Sequence, residues 1–215
     1  MIMTLDKLMR QLVADDRLHA RWLNTLSLLE NTGARKIAAA EDAATVDLLM
    51  LKHAAEEARH AYYLKQQLKK LGADTALPTY EAAYLLAPVA SRAYLNRLDT
   101  QLCRYLKTDL GLTGKALRYA AYLLVTYAIE VRADELYPVY QNVLTDVGSR
   151  VTVRSIIVEE EGHLAEMLRQ MQTFFGDYAP HADRAVAIER ALFDAWLGAL
   201  VGGVMVQVSH EPLEV

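Results

Sequence analysis

The amino-acid sequence predicts an all-α protein in which four long helices pack as a bundle. Alanine, leucine, glutamate, lysine, arginine and glutamine, all good helix formers, fill long stretches between sparse prolines and glycines. Apolar residues recur at helical spacing in those stretches, and none shows the alternation typical of a half-buried strand. We therefore expect a single domain over residues 1–215. Its four-helix core occupies about residues 5–175, with one extra helix in a long crossover and another at the C-terminal end.

The first two long helices are predicted to form a hairpin. The helical pattern of the first runs from about residue 5 to residue 40, and a loop follows near residues 40–44. The second helix extends from about Thr45 to Leu71, and Gly72 ends it. Because the loop is short, the two helices should be antiparallel neighbours.

A crossover of roughly forty residues separates this hairpin from the next. Residues 73–90 contain Pro78 and Pro88 and are predicted to be irregular, because proline disrupts regular hydrogen bonding. The extra helix fits residues 91–109. A connection of this length lets the second hairpin pack parallel to the first.

The second hairpin contains the third and fourth long helices. The third covers roughly residues 114–144 and carries Pro138, which is expected to kink the helix or reset its register. In the turn that follows, Gly148 is the predicted C-terminal stop and Ser149 the predicted N-cap of the fourth helix. The fourth helix should run to about Phe175.

The C-terminal helix is predicted over about residues 182–208. Its most apolar part, residues 191–208, is interrupted by Asp194 and three glycines. This pattern favours a helix for packing or dimerisation over an integral membrane span. A homodimer is therefore one arrangement that the sequence suggests.

The composition excludes several functional classes. A net charge of −4 gives no sign of a nucleic-acid partner. The single Cys103 excludes an intramolecular disulfide framework, a Cys-x-x-Cys redox pair and a cysteine-built zinc site. The first residues, MIMTLDKLMRQ, lack the regions of a signal peptide, so the expected location is the cytoplasm.

Glutamates and histidines occupy core-facing positions on all four long helices. On the second helix, Glu57 and His60 are one turn apart on an apolar face, and on the fourth Glu160 and His163 repeat this spacing. The first and third helices each add one glutamate. The candidate metal ligands are Glu30, Glu57, His60, Glu130, Glu160 and His163.

These six side chains are expected to meet at one level of the bundle. Counting from the loops at about 1.5 Å per residue, the glutamates of each hairpin are offset by only ~3–5 Å. A buried carboxylate must be protonated, paired or metal-bound, and no lysine or arginine shares these four faces. Two glutamates plus two Glu-x-x-His motifs form the di-iron or di-manganese pattern of helix bundles. Oxygen and nitrogen ligands without sulfur suit iron, with manganese as the alternative.

Some assignments stay open at this stage. Glu135 also lies on a partly apolar face and competes with Glu130 as the third-helix ligand, although Glu130 is favoured. His53 shares the face of Glu57 and is interpreted as a core residue or an outer hydrogen-bonding partner. Three tyrosines could line a cavity or carry a radical, but ordinary packing is the preferred interpretation: Tyr119, Tyr127 and Tyr137.

With these motifs in place, the sequence resembles the ferritin-like di-iron carboxylate superfamily across about residues 10–175. It is most similar in pattern to oxygen-activating members such as aldehyde-deformylating oxygenases and the small subunit of ribonucleotide reductase. The resemblance is carried by Glu30, EARH (57–60), IEVRADELYP (129–138) and EEGH (160–163).

The resemblance implies a role for each ligand. Two acids would bridge two metal ions, and each ion would take one further glutamate and one histidine. The implied bridges are Glu57 and Glu160, with Glu30 and His60 on one ion and Glu130 and His163 on the other. The resemblance also implies that Glu159 accepts a hydrogen bond from His60. By the pseudo-symmetry of the bundle, Glu56 could serve His163 in the same way, or it could occupy a solvated position.

The resulting functional hypothesis is a non-haem di-iron oxidase or oxygenase that uses O2 to oxidise a small, apolar organic substrate. Because the chain has no reductase domain, electrons would come from a separate donor protein or from the substrate. The alternatives are a ferroxidase that handles iron and, less favoured, a metal-free helical interaction module. The substrate pocket is expected to be lined by residues such as Leu23, Leu26, Leu123 and Tyr127.

Overall fold

The computed structural model describes residues 3–42, 44–45, 47–72 and 77–208. Within these ranges the chain forms seven α-helices and no strand, which confirms the all-α prediction. Part of the predicted irregular segment, at residues 73–76, lies outside the described residues.

The N-terminal hairpin consists of three helices instead of the expected two. They are α1 (Leu5–Val13), α2 (Asp16–Ala40) and α3 (Leu48–Gln67), and a 3-10 turn at Leu68–Lys70 extends α3. The prediction of one helix over residues 5–40 was wrong because Asp15 has extended backbone angles. Its carboxylate accepts a hydrogen bond from the N–H of Leu18 at 2.7 Å and thereby starts a new helix.

The crossover carries the extra helix α4 (Pro88–Thr108), preceded by a 3-10 turn at Ala82–Tyr84. The helix begins three residues before the predicted start, at Pro88 itself. Proline is well tolerated at the first helical position because the N–H that it lacks would have no partner inside the helix.

The second hairpin consists of α5 (Gly114–Asp146) and α6 (Arg154–Phe175). The α5 helix remains helical on both sides of Pro138. Ser149 does not cap α6, contrary to the prediction. Its hydroxyl accepts a hydrogen bond from the N–H of Val151 at 3.1 Å, and α6 begins only at Arg154.

The last helix, α7 (Ala179–Val208), packs against α4 and α5. It begins three residues earlier than predicted. Across the ranges given above, no helix combines the length and apolar character that crossing a bilayer requires.

Helix directions follow from contacts at the helix ends. Within each hairpin the helices are antiparallel neighbours, α2 against α3 and α5 against α6. Asp42, just beyond the end of α2, pairs with Lys115 at the start of α5 at 2.7 Å. The α5 helix therefore runs antiparallel to α2 and parallel to α3. In addition, α4 and α7 cover one side of α5, and α1 packs against α2 and α5.

Candidate metal centre

All six predicted ligands lie together in the interior of the bundle. Five of them are buried, and the side chain of the sixth, Glu30, is 12% exposed. Four helices contribute: α2 and α5 one glutamate each, and α3 and α6 a glutamate and a histidine one turn apart. Bundle packing therefore brings together residues that lie up to 133 positions apart, from Glu30 to His163.

The six residues form two overlapping groups, and within each group one ligand atom per residue lies within 4.8 Å of the others. Glu160 belongs to both groups. One of its oxygens lies 3.0 Å from Nδ1 of His60, and the other lies 3.1 Å from Nδ1 of His163. The first group is Glu30, Glu57, His60 and Glu160, and the second is Glu130, Glu160 and His163.

The glutamate that α5 contributes to the cluster is Glu130, which is 2% exposed. The competing Glu135 lies at the surface with a 43% exposed side chain. It pairs there with Arg132, and at 3.3 Å with Arg190. The arginines thus account for the charge of Glu135, whereas no lysine or arginine within the described ranges pairs with Glu130, and its nearest basic group is Nδ1 of His163 at 3.5 Å.

Each histidine is oriented by a glutamate from the opposite hairpin. Nε2 of His60 lies 2.8 Å from Glu159, and Nε2 of His163 lies 2.8 Å from Glu56. An ionised carboxylate can only accept, so each Nε2 carries the proton. In the neutral imidazole, this tautomer leaves the lone pair of Nδ1 directed at the cluster, as a metal ligand requires. Arg59 holds Glu159 in place with two hydrogen bonds of 2.8 and 2.9 Å.

Two buried polar atoms of the cluster have no hydrogen-bond partner among the described residues: Nδ1 of His60 and Oε2 of Glu130. Although Nδ1 of His60 is close to Glu160, the two groups are not aligned for a hydrogen bond. Buried groups of this kind are nearly always satisfied. The nearby ion pairs of Lys52 and Arg59 involve Glu56, Glu159 and Glu166 instead of the cluster. A cation bound among the carboxylates would satisfy both orphaned atoms, so the donor set fits a metal.

Burial and mutual repulsion shape the protonation of the acids. Burial raises the pKa of Glu30, and it raises the pKa of Glu57 and Glu130 well above the ordinary value, with repulsion from neighbouring carboxylates adding to the effect. Burial also acts to raise the pKa of Glu160. Hydrogen bonds with Glu130 and His163, together with the positive charge of His60, outweigh that effect and lower its pKa. Glu160 therefore differs from the other three acids of the cluster, because its pKa is lowered whereas theirs are raised.

The metal-free protein is expected to lose stability as pH rises from about 6.5 to about 9. Burial lowers the pKa of His60, but Glu160, Glu30 and Glu159 outweigh it and raise the pKa from 6.5 to about 9. Because the pKa of His60 is higher in the folded state, its protonation stabilises the fold by on the order of 3 kcal/mol below pH 6.5. This contribution disappears as pH rises through 9. Thermal melts in chelator across this range measure the loss. The His60→Gln variant should show a flatter profile, and an equally steep one would contradict the assignment.

An apolar cavity of about 360 Å³ reaches the cluster at Glu30 and Glu57. Residues of α2, α4, α5 and α7 line it, together with Glu57 of α3. Of the predicted lining residues, only Leu26 faces this cavity. The prediction was wrong for Leu23 and Leu123, which are fully buried in the packed core, and for Tyr127, which packs beside it. The cavity lies on the side of the bundle that α4 and α7 cover.

A buried polar network in the cavity wall escaped the sequence prediction. The guanidinium of Arg132 on α5 donates two hydrogen bonds to Glu189 on α7, at 2.9 and 2.7 Å. Tyr94 on α4 donates a third to the same carboxylate, and Arg132 lies 3.9 Å above the ring of Phe193. Local spacing gives no signal for this network, because Arg132 and Glu189 are 57 positions apart.

Two other residues near the cluster have defined contacts. The hydroxyl of Tyr137 donates to Glu30 and lies in the cavity wall, whereas Tyr119 donates to Gln170 away from it. His53 is buried, with Nδ1 2.8 Å from the hydroxyl of Tyr122 and its ring 4.9 Å from that of His163. His53 therefore lies beside the cluster without belonging to either group of candidate ligands.

Comparison of the sequence with protein-family models and curated proteins, and of the fold with solved structures, found no match.

Proposed function

We propose that this chain is a non-haem di-iron or di-manganese carboxylate oxidase or oxygenase of the ferritin-like type. The observation that carries the proposal is the pair of overlapping Glu/His groups beside an apolar cavity. Four carboxylates would compensate the charge of two divalent cations, and two inward-facing Nδ1 atoms would complete the donor set.

The two groups suggest how the residues would hold the metals. Glu160 would contribute to both positions, because it is the one residue shared by both groups. Glu30 and His60 would belong to the first position, and Glu130 and His163 to the second. Glu57 falls within the first group, so its proposed bridging role rests on the resemblance alone. When bound, such a pair of metal ions supplies the electrons and the Lewis acidity for activating O2.

The remaining residues would prepare the site. Glu159 and Glu56 keep the imidazoles in the tautomer that presents Nδ1, and the hydroxyl of Tyr137 fixes the orientation of Glu30. The apolar walls of the cavity adjoin Glu30 and Glu57 and would accept an apolar organic substrate. The electrons for each turnover would come from a separate donor protein or from the substrate.

The cavity favours an oxygenase over the ferroxidase alternative, because oxidation of iron alone needs no apolar pocket. The four buried acids favour the oxygenase and the ferroxidase over a metal-free interaction module, because such a module would gain nothing from burying them.

Anaerobic loading with Fe(II) or Mn(II), followed by elemental analysis, tests the proposal first. We expect about two ions per chain, as the two-metal pattern requires. Oxygen uptake is then measured with and without an apolar organic compound. The Ala121→Phe variant fills the cavity away from the cluster, so it should keep its metal and lose the substrate-dependent uptake. A ferroxidase would show uptake unaffected by this variant, and a chain that binds no metal would refute both hypotheses.

A further inference from the structure

Thr126 on α5 differs from the other helical threonines. It is 6% exposed and lines the cavity, yet its hydroxyl forms no hydrogen bond with any part of the chain that the structure describes. Threonine in a helix commonly donates to the carbonyl four residues earlier. Every other helical threonine within the described ranges does so: Thr25, Thr32, Thr100, Thr108, Thr145 and Thr173.

The position of Thr126 places this hydroxyl close to the cluster. It precedes Glu130 by four residues, one helical turn, or about 6 Å along the axis of α5. Both residues therefore share one face of the helix. A molecule held at Thr126 would extend past the candidate metal ligands.

The charges around the cavity favour an uncharged ligand. Each cationic side chain in the wall already has a carboxylate partner: Lys36 pairs with Asp99 at 2.7 Å, Arg132 with Glu189 at 2.7 Å, and Arg118 with Asp42 at 3.8 Å. Glu30 and Glu57 add acids to the same wall. Among the described residues, no cationic side chain of the wall is without a carboxylate partner, so the wall offers no free cation to an anionic head group.

The cavity is also long for its volume. Its lining residues recur on one face of α2 from Leu26 to Ala40, fourteen residues or about 21 Å. A volume of about 360 Å³ over that length makes the cavity narrow, which favours a chain-like molecule over a bulky one.

We propose that Thr126 is the specificity-determining residue of this cavity and donates its hydroxyl proton to an oxygen acceptor of an uncharged, elongated, apolar ligand. The proposal deepens the proposed function, because it names the class of molecule that the metal centre would act on. The binding step itself requires no metal. It can therefore be tested in metal-free protein, independently of the oxygen chemistry.

The test compares two probes of nearly equal shape, dibutyl ketone and 5-methylenenonane, in which a CH2 group replaces the carbonyl oxygen. Binding to metal-free protein is followed by the fluorescence of Trp196, which lines the cavity. The isosteric Thr126→Val variant should weaken ketone binding about two- to tenfold, the usual value of one hydrogen bond. Alkene binding should be unchanged or tighter. An equal change for both probes, or no binding of either to the wild type, would overturn the proposal.

Thermal melts of ligand-free protein distinguish this role from a structural one. The melting temperature of Thr126→Val should not fall, because the hydroxyl has no protein partner to lose. The matched control is Thr25→Val, since the buried Thr25 hydroxyl donates to the carbonyl of Arg21 at 2.7 Å and accepts from the N–H of Leu86 at 2.9 Å. That variant should melt lower than the wild type. If Thr126→Val melts as low as Thr25→Val, the hydroxyl is structural and the proposal is wrong.

Discussion

The Glu160→Gln variant is expected to lose tight binding at both metal positions. Glu160 is the one residue that belongs to both candidate ligand groups, and each of its oxygens faces a different imidazole. A neutral amide would leave each position with less negative charge and a weaker donor. The loss of affinity should exceed the roughly 10- to 100-fold that removing an outer hydrogen-bonding partner costs. Calorimetric titration of Fe(II) or Mn(II) under anaerobic conditions measures it.

The matched control is Glu135→Gln, which removes an acid from the same stretch of α5 that supplies Glu130. Because Glu135 is at the surface with its arginine partners, this variant should bind metal as the wild type does. Full metal binding by Glu160→Gln, or loss of binding by Glu135→Gln, would show that the ligand assignment is wrong.

The opposite pKa shifts of Glu160 and Glu57 predict that substituting them affects the stability of the metal-free protein differently. Burial raises the pKa of Glu57, so this acid costs stability when it ionises and Glu57→Gln should not destabilise the fold. The pKa of Glu160 is lowered against burial by its hydrogen bonds, so this carboxylate stabilises the metal-free protein. We therefore expect a lower melting temperature for metal-free Glu160→Gln than for metal-free Glu57→Gln.

The Glu189→Ala variant is expected to destabilise the fold by about 3–5 kcal/mol, because it leaves the charge of Arg132 in the interior without its main partner. For a chain of this size the melting temperature should fall by roughly 6–20 °C. Glu189 is 1% exposed and joins α7 to α5, and through Tyr94 also to α4. Thermal or denaturant unfolding of metal-free protein measures the effect.

Glu135→Ala again provides the control, because Glu135 pairs with the same guanidinium from the solvent side. An exposed pair contributes about 0–1 kcal/mol, so this variant should unfold almost as the wild type does. The double variant Arg132→Met, Glu189→Leu should recover much of the lost stability, because no unpaired charge remains. Equal effects of Glu135→Ala and Glu189→Ala would contradict the buried ion pair.

The convergence of the six candidate ligand residues could be predicted because it depends on helical periodicity. The spacing of Glu57 to His60 and of Glu160 to His163 places each pair on one face, and the rise per residue then sets their level along the bundle. Glu130 and Glu135 were harder to separate, since both lie on partly apolar faces. The two glutamates can be distinguished only when the positions of Arg132 and Arg190 in three dimensions are known.

Features that depend on competing local contacts or on distant packing could not be predicted in the same way. The break before α2 arises because Asp15 caps a new helix within an otherwise continuous helical pattern. Ser149 fits a helix cap by residue type, but its hydroxyl caps a turn instead. The walls of the cavity depend on how α4 and α7 pack over α5, which no periodicity within α2 or α5 reveals.

The pairing of His60 and His163 with glutamates from opposite halves of the chain has a consequence for the order of events during synthesis. Each imidazole takes its orienting carboxylate from the other half of the chain, Glu159 for His60 and Glu56 for His163. A nascent N-terminal half that leaves the ribosome first would therefore carry His60 without the acid that fixes its ring. The first candidate ligand group, which includes Glu160 of the second half, would be complete only after the two halves dock.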